Sequence, residues 1–370
     1  MMRADIFCRV IDNFGDIGVC WRLARRLAHG RGWQVRLWVD QLPAFARIQP
    51  GIAADVALQR YAGIDIVHWS AEPPTLAPGD VVIEAFACDP PPAFVRAMQA
   101  SPPAWINLEY LSAEPWVEGC HGMPSRRPDG LVKHFFFPGF TPATGGLLRE
   151  PGLSAERDEF QASGPAREAF LQGLGLGKAH LDSLRHGARL ITLFCYPHAP
   201  LDALAQVLSQ DRQPTLLLAP EGVAPGLEPL ANDALQVARV PFVAQPDFDR
   251  LLWCADLNIV RGEDSFVRAA WAARPFIWHI YPQQDDAHQV KLQAWLARYP
   301  APDQAQALIR GWNASAGASA RVAAALPAAL AAPAWAAWQE MARAWDEAQA
   351  ARADLADNLA DFCAELAKKR

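Results

Sequence analysis

The sequence has no apolar run of the ~20 residues that a membrane-spanning helix needs. It has no Cys-x-x-Cys pair. The seven cysteines, Cys8, Cys20, Cys88, Cys120, Cys195, Cys254 and Cys363, are odd in number and scattered. That pattern points to reduced core thiols and a cytoplasmic protein. The opening segment, MMRADIFCRVIDNFGD, has Asp5 and Asp12 where a signal peptide would be apolar. The glycine signature G-x-G-x-x-G is missing, which argues against a dinucleotide-binding dehydrogenase. Without G-x-S-x-G, an α/β-hydrolase would lack its nucleophile. A net charge of -6 excludes a protein that coats nucleic acid by broad phosphate neutralisation, while permitting a basic partner or a small anion held by local arginines.

What is present is an α/β rhythm, stated twice. At about 100–200 residues per domain, the 370 residues imply two domains. In the first half, 4–11, 33–40, 65–69, 80–86, 104–111 and 134–140 read as strands. Between the first two, Ile17 to His29 places Cys20, Leu23, Ala24, Leu27 and Ala28 on one helical face, with Gly30 and Gly32 to end it. Residues 141–188 are rich in Gly, Pro and Ser and read as an interdomain region. The rhythm restarts at 188–196, with further strands at 215–220, 235–243, 256–260 and 275–281. Helices are expected at 201–210, 247–254, 265–273 and 285–298. Residues 314–370 are Ala-rich and helical, more than one small domain needs, so their end is expected to pack back on the N-terminal domain. The expected domains are 1–155, joined by the C-terminal helix 350–370, and 185–345. Strands separated by helices imply parallel pairing, and ligands then bind beyond the carboxyl ends of the strands. The fourteen tryptophans read mainly as core filling.

Two strand ends carry chemistry. The first is Asp12-Asn13-Phe14-Gly15-Asp16, between the first strand and first helix. Asn13, Phe14 and Gly15 suit a tight turn, and Gly15 lets a ligand approach the backbone. One aspartate could be an N-cap, worth about 1 kcal/mol. A helix uses one N-cap, so two carboxylates around one turn suggest a general base and a group that grips a cationic acceptor such as guanidinium. No third carboxylate or histidine lies at a spacing that suggests a metal. The second is Arg261-Gly262-Glu263-Asp264-Ser265, between a buried strand and a helix. Gly262 breaks the strand, and Asp264 or Ser265 can cap the helix. The helix N-terminus with Arg261 forms a cradle for a diphosphate that needs no metal. A capped helix with a surface Arg–Glu pair is the plainer alternative. Phe194, Tyr196, Phe242 and Phe248 offer flat faces to a base, and Gln245 offers an amide to a pyrimidine edge.

These two stretches, DIFCRVIDNFGDIGVCWRLARRLA and FDRLLWCADLNIVRGEDSFVRAAWAARPFIWHIYPQ, resemble the EF-P arginine rhamnosyltransferases (EarP), over most of the chain except 141–188 and the Ala-rich tail. The resemblance implies an α/β GT-B fold, with two facing Rossmann-like domains and an interdomain cleft. It implies an inverting, metal-independent transfer of L-rhamnose from dTDP-β-L-rhamnose, with no cofactor. The acceptor would be a guanidino nitrogen of one arginine on the N-terminal domain of elongation factor P (EF-P), with no nucleic acid or membrane partner. Asp12 and Asp16 then match essential aspartates, with Asp16 preferred as base. Glu263 matches an acidic residue near the reacting sugar. Arg261, Asp264 and Ser265 match the diphosphate-binding set, and Tyr196, Phe242 and Gln245 the nucleotide surroundings. Phe194 and Gly262 complete the expected donor site, and Asn13, Phe14 and Gly15 join Asp12 at the acceptor. The alternatives are a GT-B enzyme with another nucleotide sugar or a small acceptor, and a non-catalytic module that binds EF-P or a nucleotide.

Overall fold

A computed structural model describes residues 2–11 and 14–368, except the Gln284 side chain; Met1, Asp12, Asn13, Lys369 and Arg370 lie outside that description. The chain forms two compact units, Met1–Pro151 with Gln349–Arg370, and Gly152–Ala348.

The first unit has strands β1 (Arg3–Cys8), β2 (Gln34–Val39), β3 (Leu58–Tyr61), β4 (Ile64–His68), β5 (Val81–Ala85), β6 (Ala104–Leu108), β7 (Pro124–Arg126) and β8 (Val132–Phe136). Their order is β3-β4-β2-β1-β5-β6-β8-β7. The six inner strands run parallel. Their apolar character follows, since a parallel sheet is covered on both faces. The edge strands β3 and β7 pair antiparallel and are short and polar. The β3–β4 hairpin turns through Ala62 and Gly63, with φ 48° and 78°. Two positive φ values are what a tight two-residue hairpin requires.

The second unit is all parallel: β9 (Arg189–Leu193), β10 (Thr215–Pro220), β11 (Leu235–Val240), β12 (Leu257–Arg261) and β13 (Phe276–His279), in the order β11-β10-β9-β12-β13. Much of 141–188, expected as an interdomain region, instead forms the helices Leu153–Ala162, Gly164–Gly173 and Lys178–Arg185 of this unit. Leu171 and Leu181 from them, with Leu176 between, join the core with residues of β9 and β10. Eleven of the fourteen tryptophans are buried, and Trp21, Trp38, Trp105, Trp271, Trp295, Trp312 and Trp338 fully so, as core filling requires. All seven cysteines are free, and six are buried. Burial pushes the Cys195 thiol up to about 11 and Cys254 up to about 12, so both stay protonated. No single helix among the described residues is long and apolar enough to cross a membrane.

The helix Leu355–Lys368 completes the core of the first unit. Leu355, Ala356, Leu359, Ala360 and Cys363 are buried with Ile17, Cys20, Ala24 and Leu27. The first helix, Gly15–Arg25, continues into a π-type turn, Arg26–Gly30. That turn directs the buried Arg26 guanidinium onto Asp354, with Nε donating at 2.9 Å. A Cβ at Gly30 would collide with that guanidinium, which explains glycine there. Arg31 pairs with Asp357 and Asp361 nearby. Removing one partner of a buried ion pair typically costs about 3–5 kcal/mol, because the other charge is left desolvated. Arg26→Ala should therefore lower the denaturation midpoint of the first unit and speed amide exchange in 355–368. Exchange and melting both at the parent level would show that the pair does not hold the helix.

Candidate active site

In each unit the first strand lies inside the sheet. The chain builds outward on one side of it, then returns to the other. The strand order therefore reverses between β1 and β5 and between β9 and β12. Such switch points leave a crevice at the carboxyl edge, because the two following loops depart in opposite directions.

At the first crevice, the loop after β1 leads into helix Gly15–Arg25. Phe14 is its N-cap residue and Asp16 lies in its first turn. Asp16 is thus not the helix's N-cap, and Asp12 and Asn13 lie outside the described residues. Asp16 is 3% exposed, and its Oδ2 accepts the Ile11 N–H at 2.8 Å. The carboxylate thus ties the turn to the loop before it. A Cβ at Gly15 would meet nothing within 4 Å among the described residues. Across the crevice, Phe86, Ala87 and Asp89 adopt φ of 57°, 54° and 47° after β5. Each such non-glycine residue costs on the order of 1 kcal/mol, and strain of this kind gathers at functional edges. Ala87 N–H donates to Asn107 Oδ1 at 3.1 Å, and Phe86 stacks on Tyr110 at 4.3 Å. Burial raises the Glu109 carboxyl above its usual range, against the Lys133 charge and the Asn107 hydrogen bond.

At the second crevice, Arg261 ends β12. Its Nη1 donates to the Cys195 carbonyl at 2.9 Å, and its guanidinium lies 5.1 Å over the Tyr196 ring. The rest of its five-donor fork takes no partner among the described residues. Gly262 follows with φ 67°, and its carbonyl accepts Trp278 Nε1–H at 2.9 Å. Glu263, not Asp264 or Ser265, is the N-cap residue of helix Asp264–Trp271, and no side chain caps it. Ser265 instead turns its hydroxyl back to the Arg261 carbonyl, as serines in helices do. The capping expected of Asp264 or Ser265 is therefore absent, because the helix begins one residue earlier than that reading required. Gln245 opens helix Gln245–Cys254 and is buried, while Phe242 in the loop before it is 40% exposed. Both follow β11, at the same sheet edge. Phe194 packs edge-on against Phe248 at 5.0 Å and joins the core, so its packing already accounts for an apolar ring.

The structure adds side chains that the sequence reading passed over. Tyr196 meets His279 and Tyr281 edge-on at 5.1 and 5.5 Å. His198 lies parallel to Tyr196, at 5.9 Å. Tyr281 is 56% exposed. The Tyr-x-His spacing at 196–198 and the segment WHIY at 278–281, where β13 ends, were the available signals. Asp247-Phe248-Asp249 is a D-x-D triplet, a spacing that can hold a cation on an extended chain. Here it is helical, where residues two apart do not share a face. Asp249 is also committed to the buried Arg268, through bonds of 2.7 Å from Nε and Nη2.

The model of the family "Elongation-Factor P (EF-P) rhamnosyltransferase EarP" matches residues 4–364. The chain belongs to the EarP family. It is 51% identical to the protein-arginine rhamnosyltransferase of Pseudomonas putida KT2440, covering 97% of both chains. With that of Pseudomonas aeruginosa PAO1 it shares 46% identity, over 99% of this chain and 100% of the relative. A solved structure for EarP-mediated arginine glycosylation of translation elongation factor EF-P is 36% identical and covers 98% of each chain, with a TM-score of 0.65. MurG of Acinetobacter baumannii shares the fold alone, at 12% identity and a TM-score of 0.57. The fold is thus that of GT-B glycosyltransferases, and the activity that of its family, protein-arginine rhamnosyl transfer.

Within this EarP member, the Ile11–Asp16 bond separates a structural part of Asp16 from any chemical one. A hydrogen bond to a charged group is worth about 1.5–3 kcal/mol. Asp16→Ala should lose it and destabilise the first unit by about that amount. Asp16→Asn can still accept the Ile11 N–H through its amide oxygen and should melt near the parent. Equal melting of all three proteins would show that the bond does not hold the loop.

Proposed function

We propose that the protein transfers L-rhamnose from dTDP-β-L-rhamnose to a guanidino nitrogen of one arginine of EF-P, with inversion at the anomeric carbon. The donor belongs to the second unit and the acceptor to the first. The observation that carries the reading is Arg261 at the β9/β12 switch point, with most of its donor fork unspent beside the Tyr196 ring. A diphosphate offers that fork matching oxygens. Glu263, Asp264 and the turn at Gly262 border the same edge, with Phe242 and Gln245 toward the base. The named relatives and the solved EarP structure support this choice of sugar and acceptor.

A guanidinium is a poor nucleophile, since its lone pairs are delocalised and its pKa exceeds about 12. Asp16 orients it and takes one N–H proton as the nitrogen attacks the sugar. The new C–N bond forms on the face opposite the leaving group, which inverts the centre from β to α. The C–O bond to the diphosphate breaks, and dTDP departs with the electron pair. Arg261 and the N-terminus of helix Asp264–Trp271 stabilise that charge, so the reading assigns no metal and no cofactor. Asp12 holds the acceptor with Asn13, Phe14 and Gly15, and Glu263 sits near the reacting sugar. With EF-P as acceptor, the reaction belongs in the cytoplasm.

Intact-mass analysis of EF-P after incubation with dTDP-rhamnose and this protein tests the whole reading. One deoxyhexose on one arginine is expected. Asp16→Asn should lower the single-turnover rate by about 10²–10⁴-fold while leaving donor affinity near the parent value. Near-normal transfer by that variant would remove Asp16 from the role of base.

The two donor-site variants should differ. Arg261→Ala loses charge-assisted bonds worth about 1.5–3 kcal/mol each. Ser265→Ala loses a hydroxyl already committed to the Arg261 carbonyl, so its effect should be small. Calorimetric titration with dTDP should show Arg261→Ala much the weaker. Unchanged dTDP affinity in Arg261→Ala would mean the diphosphate binds elsewhere.

A further inference from the structure

Two histidines at the second crevice form a hydrogen-bonded pair that the mechanism above leaves unused. His279 is the last residue of β13 and is 1% exposed. Its Nδ1 accepts the Tyr196 backbone N–H at 3.2 Å. A backbone N–H can only donate, so Nδ1 must carry a lone pair. A neutral imidazole bears one proton, and in His279 that proton is therefore on Nε2. This Nε2 lies 3.0 Å from Nε2 of His198. It donates, so His198 Nε2 is the acceptor. The single proton of His198 is left on Nδ1.

The chain of bonds thus sets two tautomers from one fixed backbone amide. It also opposes protonation of His198, since a proton on its Nε2 would face the Nε2–H of His279. The groups around the pair act in the same direction. Arg261 from the end of β12 and His288 from helix Ala287–Arg298 are the cationic or titratable neighbours, with the Tyr196 and Tyr281 phenols. Burial, with His198 and Arg261 close by, pushes His279 down to about 3. His198 lies below its ordinary value through desolvation and His288. His198 itself is exposed, and Nδ1 takes no hydrogen bond among the described residues. Its ring and the Arg261 guanidinium both lie against Tyr196.

We propose that His279 is a positioning residue that holds His198 as a neutral imidazole, with its one N–H at Nδ1 presented to the diphosphate of the nucleotide sugar beside Arg261. This inference rests on the donor site assigned above. A neutral donor adds direction to the contact without a second full charge. The site then grips the diphosphate by one cation and one oriented dipole, and its affinity is insulated from pH near neutrality.

The test is calorimetric titration of the full chain with dTDP-rhamnose from about pH 5.5 to 8. Both phosphates of that ligand are esterified, so the ligand does not titrate in this range. The parent should bind with constant affinity. His198→Ala should bind about 3- to 10-fold more weakly at every pH, as expected for one lost neutral hydrogen bond. His279→Phe removes the facing Nε2–H and should let His198 take up a proton at a pH within this range. Below that pH the imidazole becomes a cation facing an anion, so affinity should rise as pH falls. The double variant should be weak and flat. Parent-like binding by His198→Ala, or a flat profile for His279→Phe, would overturn the proposal. Arg261→Ala separates the two readings. If it binds weakly while His198→Ala binds normally, the donor site stands and the histidine role fails. If both bind normally, the donor site itself is elsewhere. Should His279→Phe not fold, imidazole nitrogen NMR of the parent decides. An Nδ1–H tautomer for His198 that persists to about pH 5.5 supports the proposal, and an Nε2–H tautomer or a titration near 6.5 refutes it.

Discussion

Parallel strand pairing is the constraint from which the rest follows. A parallel ladder must be covered on both faces and needs a crossover between neighbours. Every strand of the inner sheets then ends at the same edge, and the crossover helices begin there. Wherever the order reverses, two loops part and leave backbone N–H groups and side chains without a covering element. Both chemical motifs of this chain fall at such reversals, Asp16 beside β1 and Arg261 at the end of β12. Neither position needs a special fold device beyond the order of the strands.

The two edges differ in electrostatic character. The first carries carboxylates, with Asp16 tied to the loop by the Ile11 amide and Glu109 held above its usual range by burial. The second carries an arginine with spare donors and a ring system beneath it. That contrast fits the proposed division between a cationic acceptor at one edge and an anionic leaving group at the other.

Sequence periodicity reveals what is apolar and continuous. The strands 215–220 and 80–86 read directly, because TLLLAP and VVIEA are buried throughout. The antiparallel edge strands LQRY and PSR do not, since they are short, polar and paired on one side. Helices 153–185 hide for a related reason: each buries only a narrow stripe, and glycines interrupt them. At the site, Arg261 to Ser265 stands out at a strand end, but the capping pattern does not, because the helix starts one residue earlier and the Ser265 hydroxyl turns back to the Arg261 carbonyl. The pairing of His198 with His279 spans 81 residues of chain. Only the β9–β12–β13 order brings them together, and no local spacing encodes it.

The first unit is also discontinuous, and that matters for biosynthesis. Its N-terminal portion holds all eight strands, yet five buried residues of its core and the Asp354 partner of Arg26 belong to a segment translated after the whole second unit. Domains generally fold as units while the ribosome is still at work. Here the second unit can finish first, while the first waits with an apolar groove on its opening helix until Leu355–Lys368 emerges. Ribosome-bound intermediates should therefore be the state of this protein most exposed to chaperones and proteases.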